Sequence, residues 1–205
     1  MKLGLITDVH EHVENLRAAL AHLAEQRVDQ IVIIGDVVEM GQRLEETCRL
    51  LADAGVVGVW GNHDFGLCHE PTAELCARHS PTVLGYMGTL QPRLVIDGCH
   101  FSHVEPWLNP LEILDLWYFE GLPSEHGNLS RLFAATSHRL MFAGHFHHWE
   151  IATPERVLDW HGEVPITLDS GRYFVAVGAL CEGEYAVIDT ESSLLTPLKL
   201  KSGVV

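Results

Sequence analysis

The chain is poor in positive charge. Thirteen lysines and arginines stand against 28 aspartates and glutamates, a formal net charge of −15. A general nucleic-acid binder offers basic surface to the phosphate backbone, so the balance argues against that class. A small phosphorylated ligand stays open, provided bound metal supplies positive charge locally. Cysteine is also scarce. Cys48, Cys68, Cys76, Cys99 and Cys181 are odd in number and form no C-x-x-C pair. That argues against a disulfide framework or a zinc ribbon and predicts reduced, buried thiols. No apolar run approaches membrane-spanning length, so no membrane partner is expected. The chain reaches Asp8 directly after Met1 to Thr7, which leaves no room for a signal peptide. A cytoplasmic location is the expectation. Repeats, low-complexity tracts and linkers are missing too, which points to one domain over residues 1–205.

What the chain does have is apolar residues, 47% of the total against 20% charged, enough for a substantial core. They fall in short runs. Leu3 to Thr7, Ile31 to Ile34 and Val56 to Trp60 read as buried strands. Between them Val13, Leu16, Leu20 and Leu23 have helical spacing, and a second helix runs from about Leu44 to Ala54 and stops at Gly55. This β-α-β-α-β opening predicts a parallel sheet with its strand ends gathered on one edge. Residues 70–90 look helical but interrupted by Pro81, Gly85 and Gly88. Leu94 to Ile96 and Cys99 to His103 form a hairpin turning on Asp97-Gly98. A helix is expected over Leu129 to Ser137 and a strand over Leu140 to Ala143. After Pro154 the chain reads as strand throughout. The expected class is α/β, a four-layer α-β-β-α sandwich with two mixed sheets flanked by helices.

The apolar runs end in residues that bind metals. Asp8-x-His10, Gly35-Asp36, Gly61-Asn62-His63-Asp64, His103 and Gly144-His145-Phe146-His147 each follow one. Singly, each has a bland reading: Asp8 as a helix cap, Asn62 as a turn residue, His145 or His147 as core histidines. Together they place hard oxygen and borderline nitrogen donors on the ligand-binding edge of an α/β sheet, as two divalent ions require.

In order and spacing this pattern resembles the calcineurin-like metallophosphoesterase superfamily: D-x-H, G-D-x-x-x-x-G, G-N-H-[DE], a lone His, then G-H-x-H. The resemblance covers residue 3 to about 150, and the closing strands resemble the small prokaryotic phosphodiesterases of the group. It implies that Asp8, His10, Asp36 and His147 hold one metal. Asp36, Asn62, His103 and His145 would hold the second, with Asp36 as the bridge. It further implies two divalent transition-metal ions, manganese first and iron, cobalt, nickel or zinc as alternatives. The implied reaction is attack of a metal-bridging hydroxide on a small phosphodiester or nucleotide. His63 is outside the ligand set and would serve as the acid that protonates the leaving oxygen. Glu39 stands where the protein-phosphatase branch has an Asp, and is expected to orient His63.

Three departures bear on substrate. Met40 replaces the Arg of protein phosphatases, Glu11-His12 follows His10, and Val104 follows His103. The alternatives are a phosphomonoesterase or protein phosphatase of the same fold, or a non-catalytic scaffold. The aromatic-rich stretch 105–128 is read either as core or dimer surface or as an active-site cap. Oligomeric state stays open, with a homodimer among the allowed arrangements. Of the remaining histidines, His12 and His69 are the two expected near the pocket.

Overall fold

A computed structural model describes residues 1–122 and 127–200. The expected stretch 105–128 therefore lies partly outside the described residues, at 123–126. The chain begins β1 (Lys2–Ile6), α1 (Val13–Glu25), β2 (Gln30–Ile34), α2 (Leu44–Asp53) and β3 (Val57–Val59). Three short helices follow, α3 (Phe65–Cys68), α4 (Ala73–Arg78) and α5 (Pro81–Met87), then the hairpin of β4 (Leu94–Ile96) and β5 (Cys99–Phe101). Next come α6 (Ile113–Leu116), α7 (Leu129–Ala134), β6 (Leu140–Ala143), β7 (Glu150–Ala152), β8 (Ile166–Thr167) and β9 (Tyr173–Ala176). A 3₁₀ turn at Leu180–Glu182 leads into β10 (Glu184–Asp189) and β11 (Leu194–Lys199).

The strands form two mixed sheets, in the orders β3-β2-β1-β10-β11-β8 and β4-β5-β6-β9-β7. Side-chain alternation decides what each face meets. Leu3 and Leu5 of β1, and Val32 and Ile34 of β2, point inward to Phe101, Phe142 and Val175 of the second sheet. Their neighbours Ile31 and Ile33 point outward to Leu16, Leu23, Leu44 and Leu51 of the helices. On the far side Met141, Ala143, Phe174 and Ala176 meet Leu132 and Phe133 of α7. The result is the expected α-β-β-α sandwich.

Several local expectations change. Pro81 does not interrupt a helix but starts one: it opens α5, where its missing N–H costs nothing, and the Ser80 hydroxyl accepts from Val83 N–H at 3.3 Å. The segment after Pro154 is not all strand, because the 3₁₀ turn separates β9 from β10. The strand β7 is too short to show a period in the sequence. The cysteines are unpaired, as expected, but only Cys48 and Cys99 are buried; Cys68, Cys76 and Cys181 are partly exposed. Among the described residues no helix is long and apolar enough to cross a membrane.

Candidate metal centre

The parallel strands β1, β2, β3, β5 and β6 run the same way within their sheets, so their carboxyl ends deliver the polar motifs to one edge. The loops there continue to bond to one another after the strands end. Asp8 N–H donates to Gly35 O, His10 N–H to Asp36 O, and Gly144 N–H to His103 O, at 3.0, 3.0 and 3.1 Å. Close approach needs glycine at two points. A Cβ on Gly61 would lie 2.1 Å from Asp36 Oδ1, and one on Gly144 would lie 2.0 Å from Thr7 Oγ1. Asp8, His10, Asp36, His145 and His147 all have positive φ, between 44° and 71°. Left-handed backbone costs such residues roughly 1–3 kcal/mol each, so its concentration here marks a functional site.

Two donor groups converge. Asp8, His10 and His147 form one: His147 Nε2 is 3.3 Å from Asp8 Oδ1 and 3.3 Å from His10 Nε2. Asp36, His103 and His145 form the other, with His103 Nε2 at 3.3 Å from Asp36 Oδ2. Asn62 Oδ1 closes this group, 3.0 Å from both His103 Nε2 and His145 Nδ1. Asp36 Oδ2 also lies 3.7 Å from His10 Nε2, between the two groups. The seven candidates thus meet in one place.

Their hydrogen bonds show what the place is suited to hold. His103 Nδ1 lies 2.7 Å from the Ile34 carbonyl, and His10 Nδ1 lies 3.2 Å from that of Val38. Each Nδ1 therefore carries a proton, which leaves Nε2, with its lone pair, as the ring atom free to take a cation, whether a second proton or a metal ion. Those lone pairs point at the Asn62 and Asp36 oxygens and at another imidazole nitrogen. Acceptor facing acceptor is repulsive unless a cation stands between them. The electrostatics agree. Burial works against it, yet the Asp36 carboxylate raises His103 to about 9. Asp8 and Cys181 raise His147 to about 10. Asp36 is held well below the usual carboxylate range by His103, His63 and His10, in spite of burial. His145 moves the other way, down to about 4, through burial and the neighbouring His103. The cluster attracts positive charge, and its mixed N/O donors fit divalent transition metals.

His63 lies beside these groups. Its N–H donates to Asp36 Oδ1 at 3.0 Å, and its ring sits between His10 and Trp117, with centroids 4.8 and 5.1 Å away. It also reaches His10 and Asp36 closely enough to join them as a donor. Glu39 departs from expectation. Its Oε2 lies 3.0 Å from His10 Nδ1, and among the described residues it makes no hydrogen bond or ion pair with His63. The loop after Asp36 turns this carboxylate toward the D-x-H histidine, so Glu39 orients His10. His12 lines the cleft as expected. His69 instead stacks on Trp60 at 6.0 Å.

Two carboxylates important to the site carry no signal of their role in the sequence. Asp64 is wholly buried; its Oδ1 accepts from Val37 and Val38 N–H at 2.9 and 3.0 Å, and Oδ2 from Gly61 N–H at 2.9 Å. Burial and the Asp36 charge push its carboxyl up to about 6, against the pull of the Gly61 and Val38 donors. Asp64 therefore ties the Asp36 loop to the Asn62 loop. Glu11 does the same for residues 39–43, accepting from the N–H groups of Glu39, Gly41 and Arg43 at 2.9, 2.6 and 2.7 Å.

Above the donors opens a cleft of about 490 Å³ that includes Trp117 and Cys181 in its lining. Trp107 is not part of that lining; it is partly buried against the core, under the Arg131 guanidinium at 4.8 Å.

The fold has known counterparts. A metallophosphoesterase from Sphaerobacter thermophilus superposes with a TM-score of 0.79 at 22% identity, covering 98% of this chain and 88% of that one. An archaeal phosphodiesterase superposes at 0.55 and 16% identity, covering 98% and 100%. At these identities the likeness shows the fold. A phosphodiesterase of Methanocaldococcus jannaschii is 29% identical over 68 residues, 33% of this chain and 39% of its own length. An uncharacterised protein of the same organism is 32% identical over 65 residues, 32% of this chain and 27% of its own length. The chain thus matches well under half the length of these two relatives. The profile of the calcineurin-like phosphoesterase superfamily domain matches residues 1–193, and the chain belongs to that superfamily.

Proposed function

We propose that the chain is a phosphodiesterase working with two divalent transition-metal ions, manganese first. The observation that carries this reading is the two adjacent donor groups with Asp36 between them, their imidazole Nε2 atoms aimed at oxygens. Asp8, His10, Asp36 and His147 would hold one ion, and Asp36, Asn62, His103 and His145 the other. When bound, the ions supply the positive charge that holds phosphoryl oxygens and the Lewis acidity that makes water nucleophilic near neutral pH.

The chain's own residues do the rest. Val38 O and Glu39 fix the His10 ring through Nδ1, and Ile34 O fixes His103 in the same way. His63, anchored by its backbone to Asp36, presents its imidazole to the cleft and gives a proton to the departing oxygen. The diester preference is supported by Met40. That side chain is 76% exposed at the rim, where a monoester dianion would gain most from a guanidinium. A substrate panel with manganese-loaded protein tests this. Higher kcat/KM for bis-p-nitrophenyl phosphate than for p-nitrophenyl phosphate is expected. A tenfold advantage for the monoester across several pairs would replace the reading with a phosphomonoesterase, and inactivity with full metal loading would favour a scaffold.

His63→Ala separates its role from metal binding. Both ions should remain, while turnover of an alkoxide-leaving diester falls on the order of 10²–10⁴-fold. The loss should shrink for nitrophenolate, which needs little help to leave. Equal losses on both substrates would remove the acid role, and a lost ion would make His63 a ligand.

A further inference from the structure

The stretch from Leu111 to Phe119 is unusually apolar on its surface. Leu111, Ile113, Leu114, Trp117 and Phe119 are all exposed, with Trp117 at 53% and Phe119 at 59%. An aromatic residue kept half in water gives up burial worth more than most side chains can gain elsewhere. Nor is the stretch loose. Leu116 is wholly buried, Asp115 Oδ2 accepts Asn109 N–H at 2.8 Å, and Trp60 Nε1–H donates to Pro110 O at 3.0 Å. The backbone that carries Trp117 is thus anchored, and its indole lies beside His63, tilted 43° to that ring. Phe119 stands edge-on to His145 at 5.8 Å on the same side.

On the other side of His10, His12 and Glu39 the cleft continues into a second lobe of about 260 Å³. This lobe is polar. Arg43 and Glu14 satisfy one another at 2.7 Å, whereas Gln42 is exposed at the edge of the lobe and its amide has no protein hydrogen bond among the described residues. An unengaged carboxamide both donates and accepts, as a hydroxylated ligand requires.

We propose that the cleft takes an open-chain phosphodiester, its leaving group a flat ring laid against Trp117 and its retained alcohol a hydroxyl-bearing group seated in the second lobe. The proposal rests on the phosphodiesterase reading and adds a direction to it. His63 lies on the Trp117 side, so the oxygen that receives its proton lies there too. Hydrolysis breaks the bond from phosphorus to the ring-bearing oxygen and makes one to the oxygen of water. The departing alcohol takes a proton from His63, and the water yields one in return. A cyclic diester has both ester oxygens on one sugar and reaches only one lobe.

Binding and turnover test the two lobes separately. With metal-loaded protein, phenylphosphonate should bind about tenfold tighter than methylphosphonate, and Trp117→Ala should cut that ratio to about twofold or less. Trp117→Phe should keep most of it. A ratio that Trp117→Ala leaves intact, or equal weakening of both ligands, overturns the stacking role. In turnover, the thymidine 5′-(p-nitrophenyl phosphate) diester should exceed methyl p-nitrophenyl phosphate in kcat/KM, and Gln42→Ala should narrow that preference. No preference in the native chain, or a tenfold advantage for a 2′,3′-cyclic nucleotide, overturns the two-armed substrate. A protein that hydrolyses no ester yet shows the Trp117-dependent ratio would defeat the hydrolase reading and support the stacking role. An active enzyme whose ratio ignores Trp117 would do the reverse.

Discussion

Asp36→Asn is expected to lower kcat about 10³-fold, ~4 kcal/mol of barrier, and to cut metal content below two ions per chain. The reason lies in which oxygen survives. Oδ1 accepts the His63 N–H at 3.0 Å, and that bond selects the amide oxygen for its place. The amide nitrogen then replaces Oδ2, facing His103 Nε2 and His10 Nε2 at 3.3 and 3.7 Å. Its two hydrogens satisfy the lone pairs that a cation would otherwise take. The variant should therefore fold with unchanged circular dichroism while elemental analysis shows the lost metal. Unchanged metal and turnover together would sink the dinuclear assignment.

The second large effect is on stability. Asp64→Ala leaves the N–H groups of Val37, Val38 and Gly61 without their acceptor in a buried place. At ~1–3 kcal/mol for each unsatisfied donor, the loss should come to about 3–9 kcal/mol. Asp64→Asn should rescue little. Both carboxylate oxygens accept, so the amide must aim its NH₂ at a donor wherever it turns. Denaturant unfolding of the three proteins at pH 7 measures this. A loss under ~1 kcal/mol for Asp64→Ala, or near-native stability for Asp64→Asn, would show that Asp64 does not tie the two loops. Activity should fall with stability, because Asp36 and Asn62 sit on those loops.

The contrast between Asp36 and Asp64 shows what a sequence discloses. Asp36 follows an apolar run and a glycine, so its place at a strand end is legible from the run alone. The same holds for Asp8, Asn62, His103, His145 and His147, and the unbroken apolar runs of β1, β2, β6 and β9 marked strands buried on both faces. Asp64 and Glu11 differ. Their partners are backbone N–H groups on another loop, 26–32 residues away for most of them, and every residue type but proline carries that group. No pattern of side chains can announce such a contact. Glu39 was placed by a counterpart's position, yet in this loop the carboxylate pairs with His10. The exposure of Trp117 was equally hidden, since an aromatic among leucines reads the same whether it fills a core or walls a cleft.

The seam between the two sheets is where the centre lies. Asp8, His10, Asp36 and Asn62 leave strands of the first sheet; His103, His145 and His147 leave strands of the second. His10 and His147 approach within 3.3 Å although 137 residues separate them in the chain. A metal ion held by both would act as a staple of another kind than a disulfide: it would bind the folded chain and not the unfolded one, so its binding free energy would add to the stability of the fold. This chain has unpaired cysteines and no disulfide among its described residues. The donors that make it a candidate hydrolase are also the ones placed to fasten its two halves together.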